Sequence, residues 1–369
     1  MTPERRAERL ALARAAYRDL TLYSPDAGAA ASVAVDVSDN TNLWGPPPMA
    51  LRALRELSAD TVSRYPSLYA HELKAPLARY IGVSPDQVVT GCGSDDVLDS
   101  AMRAVCEPGD RVAFPVPTFS MVPTFARMNG LEPVPVPLRG AAHDWDADAD
   151  ALLATGARVI YLCSPNNPTG TLLRRETVER VIAGAPGLVV VDEAYAEFAE
   201  GTLTARAPGY DNVLATRTLS KAFGLAGLRI GYGAGSAELV REVEKARGPY
   251  MVNAAAQRAA VAALEDDFAW VQARAQQAIE LREWLAGELR ALGLAVLPSA
   301  ANFVLVRVRD AAAAANRLRA RGVLVRAFAG LPLVGDALRI GIAPWETLVI
   351  VLDAVRAVLG DAGATEPAP

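Results

Sequence analysis

Thr218-Leu219-Ser220-Lys221-Ala222-Phe223-Gly224-Leu225-Ala226-Gly227-Leu228-Arg229-Ile230-Gly231 sets one primary amine among hydroxyls, small residues and apolar side chains, with a guanidinium eight positions on. The setting matters because lysine is scarce in this chain. Among 369 residues there are three lysines, Lys74, Lys221 and Lys245, against 34 arginines. Arginine stays protonated and forms no imine with a carbonyl, whereas a desolvated lysine does. Lys74 and Lys245 fall in charged helical stretches and read as solvated residues. Lys221 falls in an apolar, glycine-rich loop, where a lysine is costly unless something uses it. Arg229 suits a bidentate phosphate contact, and its charge together with burial lowers the pKa of a neighbouring amine.

Working outward, short continuous apolar runs precede this loop at 212–216, at Leu188-Val189-Val190-Val191 and at Val159-Ile160-Tyr161-Leu162. Such runs suit strands buried on both faces of a parallel sheet. Gln87-Val88-Val89-Thr90 and Arg111-Val112-Ala113-Phe114 add two more, the latter ended by Pro115. Helices are expected over Pro3–Leu20, Met49–Ala59 and Asp95–Val105. The alternation is that of an α/β domain with a mostly parallel sheet covered by helices. After about Asn253 comes a long helical stretch to Leu292. It is followed by strands at 295–297, 303–306 and 337–342 and by helices at 311–321 and up to Leu359, a smaller α+β unit. The organisation expected is an amino-terminal helix and arm (1–48), a large domain (49–253), a small carboxy-terminal domain (254–360) and a disordered tail (361–369).

Three further clusters sit at expected strand ends, where open α/β sheets bind ligands. Gly91-Cys92-Gly93-Ser94-Asp95-Asp96 opens a helix, and its free N–H groups suit a phosphate, although a merely capped helix start reads the same way. Asn166-Asn167-Pro168-Thr169-Gly170, read alone, is a turn. In Asp192-Glu193-Ala194-Tyr195 the carboxylate at the strand end is either a loop cap or a charge serving a ligand; in the second case it would suit keeping a pyridine nitrogen protonated, and the phenol three residues on hydrogen-bonding a ring oxygen.

Composition excludes other classes. The net charge is −5 with no basic stripe, against nucleic acid. No apolar run spans a bilayer, and residues 1–14 lack a signal-peptide segment, so a cytoplasmic protein is expected. Two histidines and three separated cysteines argue against a metal centre or a disulfide framework. No Gly-x-Ser-x-Gly elbow occurs. Gly231-Tyr232-Gly233-Ala234-Gly235 is not a full dinucleotide fingerprint.

Taken in their joint order, these motifs resemble fold-type I pyridoxal-phosphate enzymes of the class I/II aminotransferases, nearest the histidinol-phosphate aminotransferase branch, from about Leu22 to Leu359. The resemblance implies Lys221 as the residue bonded to pyridoxal 5'-phosphate and Asp192 as partner of the pyridine nitrogen. Asn167 and Tyr195 hold the phenolic oxygen, and Ser220, Arg229 and the backbone at Ser94-Asp95 hold the phosphate. Phe119 stacks on the ring. Tyr65 reaches the phosphate of a neighbouring subunit, which implies a homodimer. Arg326 and Arg339 bind the anionic group of the substrate, with Tyr23 and Asn42 on the same side. The activity implied is transfer of an amino group between an amino acid or amino-alcohol phosphate and a 2-oxo acid. A decarboxylase of the threonine-phosphate type shares these motifs and stays open; a regulator would carry a DNA-binding head, for which the short first helix leaves no room. The departures lie toward the substrate. Asn40-Thr41-Asn42-Leu43 replaces the usual Asn-Glu-Asn-Pro, Ser67-Leu68 follows Tyr65-Pro66, and Ala343-Pro344-Trp345 stands where Gly-Thr is common. Trp44 and Trp345 either wall the pocket or fill the core.

Overall fold

The structure, a computed structural model, describes residues 14, 17, 20, 33–140 and 144–359. Apart from positions 14, 17 and 20, the expected first helix lies outside these residues, as do Tyr23 and the tail from Asp361.

The strands in chain order are β1 (Val35–Asp36), β2 (Val88–Cys92), β3 (Arg111–Val116), β4 (Glu132–Pro137), β5 (Val159–Cys163), β6 (Leu188–Asp192), β7 (Val213–Thr218), β8 (Ile230–Ala234), β9 (Phe303–Arg307), β10 (Val323–Leu324), β11 (Arg326–Leu331) and β12 (Gly335–Gly341). Seven form one sheet in the order β2-β8-β7-β6-β5-β3-β4. Within it only β8 runs against its neighbours. The apolar runs of β5, β6 and β7 are buried along their whole length because helices cover both faces. Their register sets Cys163, Asp192 and Thr216 side by side at the carboxyl ends of three adjacent strands. Asp192 is thereby fixed by sheet pairing on both sides.

Several expectations needed correction. β3 does not stop before Pro115 but runs through it to Val116. It bonds β5 only at Val112–Ala113, and beyond that point only the proline-bearing edge strand β4, so the missing N–H is tolerated. Residues 295–297 form a single bridge, Val296 to Val306, rather than a strand. The first helix of the large domain ends at Arg55, and a separate short helix covers Ala59–Ser63. The long helical stretch is two helices, Ala254–Glu265 and Phe268–Ala291, parted at Asp266 and Asp267. Lys74 is not solvated: it is 5 % exposed and its Nζ donates to Glu244 at 2.5 Å, pinning the helix His71–Ile81 to Ala237–Lys245.

The smaller unit holds the antiparallel sheet β11-β12-β9, covered by the helices Ala311–Ala320 and Trp345–Leu359. β1 pairs in parallel with β10, which fastens the arm to this unit. The helix Ala254–Glu265 packs instead against Pro48–Arg55 and His71–Ile81. The 24-residue helix Phe268–Ala291, about 36 Å long, leads from there into the smaller unit. Among the described residues no helix is long and apolar enough to cross a membrane, and no group of three or more His, Cys, Asp or Glu side chains could hold a metal ion.

Candidate active site

A cavity of about 460 Å³ opens at the carboxyl ends of the central strands, between the large sheet and the β11–β12 hairpin. Lys221 lies on its wall, half-buried, with Nζ donating to the carbonyl of Asp39 at 2.9 Å and standing 5.9 Å from the centre of the Tyr195 ring. Burial, and then the positive charge of Arg339, lower its pKa from 10.5 to about 8. An amine brought that close to neutrality spends part of its time as a nucleophile.

Asp192 closes the floor. Its Oδ2 accepts from the Tyr161 hydroxyl at 2.7 Å and its Oδ1 from the Ala194 N–H at 3.1 Å. Burial nevertheless raises its pKa to about 6. Tyr195, three residues on, is buried with its ring edge-on to Phe303, and burial pushes its phenol up to about 12, so it keeps its proton. Its oxygen accepts from Asn40 Nδ2 at 3.1 Å.

One end of the cavity is a cup for an anion. β2 delivers the helix Gly93–Val105 with Ser94 and Asp95 in its first turn, so its leading N–H groups face the cavity. A Cβ added at Gly93 would stand 2.6 Å from Arg229 Nη2, and one at Gly231 2.0 Å from the Ser94 nitrogen. Both glycines are therefore needed to bring helix start, β8 and Arg229 together. Arg229 itself takes a left-handed backbone (φ +54°), its carbonyl accepting from Gly93 N at 3.0 Å and its Nη2 reaching Asp95 Oδ2 at 3.4 Å. Burial raises the Asp95 pKa against the pull of Arg229 and Lys221. Ser220 completes the cup, its Oγ 2.9 Å from the Thr218 hydroxyl.

On the wall between floor and rim lie Phe119 and Asn167. The turn carrying Asn167 is held by its neighbour: Asn166 Nδ2 donates to Pro117 O and Thr169 Oγ1, and its Oδ1 accepts from Thr118.

The opposite end is cationic and aromatic. Arg326 and Arg339 are partners across β11 and β12 and share one face. The Arg339 guanidinium stands between the rings of Phe303 (5.4 Å) and Phe328 (5.7 Å), while Nη1 donates to Asn167 Oδ1 at 2.6 Å and Nη2 to Ser38 O at 2.5 Å. Phe328 and Leu331 form an apolar edge to the same space.

Of the other expected site residues, Asn42 does not line the cavity and Tyr65, expected to serve a neighbouring subunit, faces outward. Asn42 spends its side chain on the loop, donating to Ala222 O and accepting from Trp44 N, and the cavity is lined instead by Asp39, Asn40 and Thr41. Tyr65 is 83 % exposed, away from this cavity, stacked on Tyr250 at 4.8 Å. Tyr23 is not described. Neither Trp44 nor Trp345 lines the cavity; Trp44 packs on the core, and Trp345 is a surface residue tilted against Trp284. Asn40, Asp39, Phe328 and Leu331 escaped the sequence reading. The strand alternation after Arg326 could have pointed to Phe328, and Asn40 stands in the Asn40-Thr41-Asn42-Leu43 stretch quoted above; no signal marked Asp39 or Leu331.

The family model for aminotransferase class I and II matches residues 33–355. The chain is 40 % identical over 335 residues to a histidinol-phosphate aminotransferase of Roseiflexus castenholzii, covering 88 % of this chain and 89 % of that one. It is 40 % identical over 351 residues to that of Ruegeria pomeroyi, covering 92 % and 95 %. The crystal structure of the Sinorhizobium meliloti histidinol-phosphate aminotransferase in complex with pyridoxal-5'-phosphate superimposes with a TM-score of 0.84 at 29 % identity, over 94 % of this chain and 97 % of that chain.

Proposed function

The chain belongs to the class I and II aminotransferases, and we propose that it moves an amino group between an amino-alcohol phosphate of the histidinol-phosphate type and a 2-oxo acid, using pyridoxal 5'-phosphate bonded to Lys221. The observation that carries the reading is the meeting of three groups in one cavity: the Lys221 amine at about 8, the buried Asp192 carboxylate and the Gly93–Arg229 cup.

The residues fit the cofactor. The cup, which a Cβ at Gly93 or Gly231 would fill, offers helix N–H groups, Ser220 and a guanidinium to a phosphate. Asp192 offers an anion to a pyridine nitrogen, Tyr195 and Asn167 offer hydrogen bonds to a phenolic oxygen, and Phe119 a face to the ring. When bound, the cofactor supplies an electron-poor ring that takes up the electron pair left when a proton departs the substrate carbon. Asp192, as an anion, would keep the ring nitrogen protonated. Lys221 Nζ, within reach of the Asp39 carbonyl, takes up the carbon-bound proton and returns it. Arg339, beside the rings of Phe303 and Phe328 on the cavity wall, would meet a carboxylate, and Arg326 the second anionic group.

We place the enzyme in amino-acid biosynthesis, in the cytoplasm, as a homodimer in which Tyr65 serves the partner's phosphate cup; the exposed, stacked Tyr65–Tyr250 pair supports that arrangement. The test is to trap the holoenzyme with borohydride, map the labelled peptide, and screen amino donors against 2-oxoglutarate. Label on Lys221 and donor-dependent keto product are expected; label elsewhere sinks the reading, and carbon dioxide released from an amino acid alone makes the enzyme a decarboxylase. Mixed Tyr65→Phe and Lys221→Ala subunits should regain part of the activity if the site is shared.

A further inference from the structure

Asn40 is 1 % exposed, lies on the cavity wall and holds a left-handed backbone (φ +54°). After glycine, asparagine is among the residues that take that conformation most readily, and contacts of two successive carbonyls fix it here. Its carbonyl accepts from Asn302 Nδ2 at 3.0 Å, and the carbonyl before it accepts from Lys221 Nζ at 2.9 Å. The side chain reaches one functional group, donating from Nδ2 to the Tyr195 hydroxyl at 3.1 Å. In this orientation one carbonyl oxygen, Asn40 Oδ1, is buried without a partner.

A phenol has one proton to give. Once Asn40 takes a lone pair of the Tyr195 oxygen, that proton is free to point into the cavity that Tyr195 lines. We propose that Asn40 is a positioning residue: by donating to Tyr195 it turns the phenol proton toward the ring oxygen of the bound cofactor and makes the phenol a stronger donor. The inference rests on the role given to Tyr195 above. Coupled hydrogen bonds strengthen one another, and each donor on the ring oxygen draws off negative charge that would otherwise hold the proton of the Lys221–cofactor link. Asn40 therefore keeps the acid–base midpoint of the cofactor's visible absorption low, and losing it raises that midpoint.

The test is a pH titration of the visible absorption of the holoenzyme, with cofactor dissociation constants measured alongside, for the wild type, Tyr195→Phe, Asn40→Gly, Asn40→Ala and the double variant Asn40→Gly/Tyr195→Phe. Glycine tolerates the left-handed backbone, and the alanine variant separates loss of the amide from gain of chain freedom. Tyr195→Phe should raise the midpoint by about one pH unit, and each Asn40 single variant by about half a unit, a threefold change. The double variant should match Tyr195→Phe alone. If Asn40→Gly shifts the midpoint as far in the Tyr195→Phe background as in the wild type, Asn40 acts by another route and the proposal falls. If Asn40 variants leave the midpoint in place while Tyr195→Phe moves it, the proposal falls and the Tyr195 role stands. If Tyr195→Phe itself moves nothing, both fall.

Discussion

The two ends of the cavity are built on different principles. The cofactor end is made of strand termini: Asp192 is clamped between β5 and β7 in the large sheet, and Ser220, Lys221 and Arg229 lie within ten residues of one another. The substrate end is a composite. Arg339 takes its position from Asn167, Ser38, Phe303 and Phe328, four residues drawn from four separate segments. The first end rests on one sheet and the loop that follows it; at the second, Arg339, itself paired on both sides in the small sheet, is aimed by side chains and a carbonyl from other segments. Substitutions at the first end should therefore act on the chemical step, and those at the second on affinity.

Lys221→Ala is the largest expected effect, a loss of kcat on the order of 10⁴-fold or more, because the nucleophile and proton carrier go together. It is read by single-turnover kinetics with the bound cofactor monitored. Asp192→Asn comes next. It keeps the shape and removes the charge, so kcat should fall on the order of 10²–10³-fold with KM little changed. A change in KM alone would blur the contrast between the two ends.

At the other end the signature reverses. Arg339→Lys loses the fork and the stacking, so KM should rise about tenfold to a hundredfold for both amino donor and keto acceptor if, as proposed above, both bring an anionic group to this place. Phe328→Ala removes one of the two rings beside Arg339 and should raise the same KM values severalfold, with Phe328→Tyr restoring them. A fall in kcat at unchanged KM in either variant would mean that this end is as rigidly tied to the chemistry as the first.

The same difference governs what the sequence disclosed. Lys221, Asp192, Ser94 and Arg229 lie in short motifs at strand ends, so local patterning and one scarce residue type located them. Asn40 and Asp39 reach the cavity only because β1 pairs with β10 and four successive carbonyls, of residues 37 to 40, accept from Gly341, Arg339, Lys221 and Asn302. Contacts made across some 180 to 300 residues leave no periodic trace, and the reading settled on Asn42 instead. β8 and β4 went unread for another reason: glycines in one and prolines in the other hide strands that pairing still supports. Lys74 looked solvated because its helix is charged, and its half-buried partner Glu244 lies 170 positions away.

The smallest expected effect concerns stability and sets buried Lys74 against half-buried Lys221. Lys74 is matched by Glu244, while Lys221 makes no ion pair among the described residues and leans on a carbonyl. In the cofactor-free protein the Lys221 pKa is lowered from 10.5 to about 8, so the unfolded chain binds that proton more tightly than the folded one. The resulting cost is complete below about pH 8 and fades as pH climbs toward 10.5. Lys221→Met should therefore raise the melting temperature of the cofactor-free protein at pH 7, by about 2–4 °C at most since the amine is partly reached by solvent, and the gain should vanish at high pH. Lys74→Met should lower it at pH 7 by leaving Glu244 without its cation. Were Lys221→Met to lose stability at pH 7 as Lys74→Met does, Lys221 would be an ordinary structural lysine, and the site would carry no strain held ready for a cofactor.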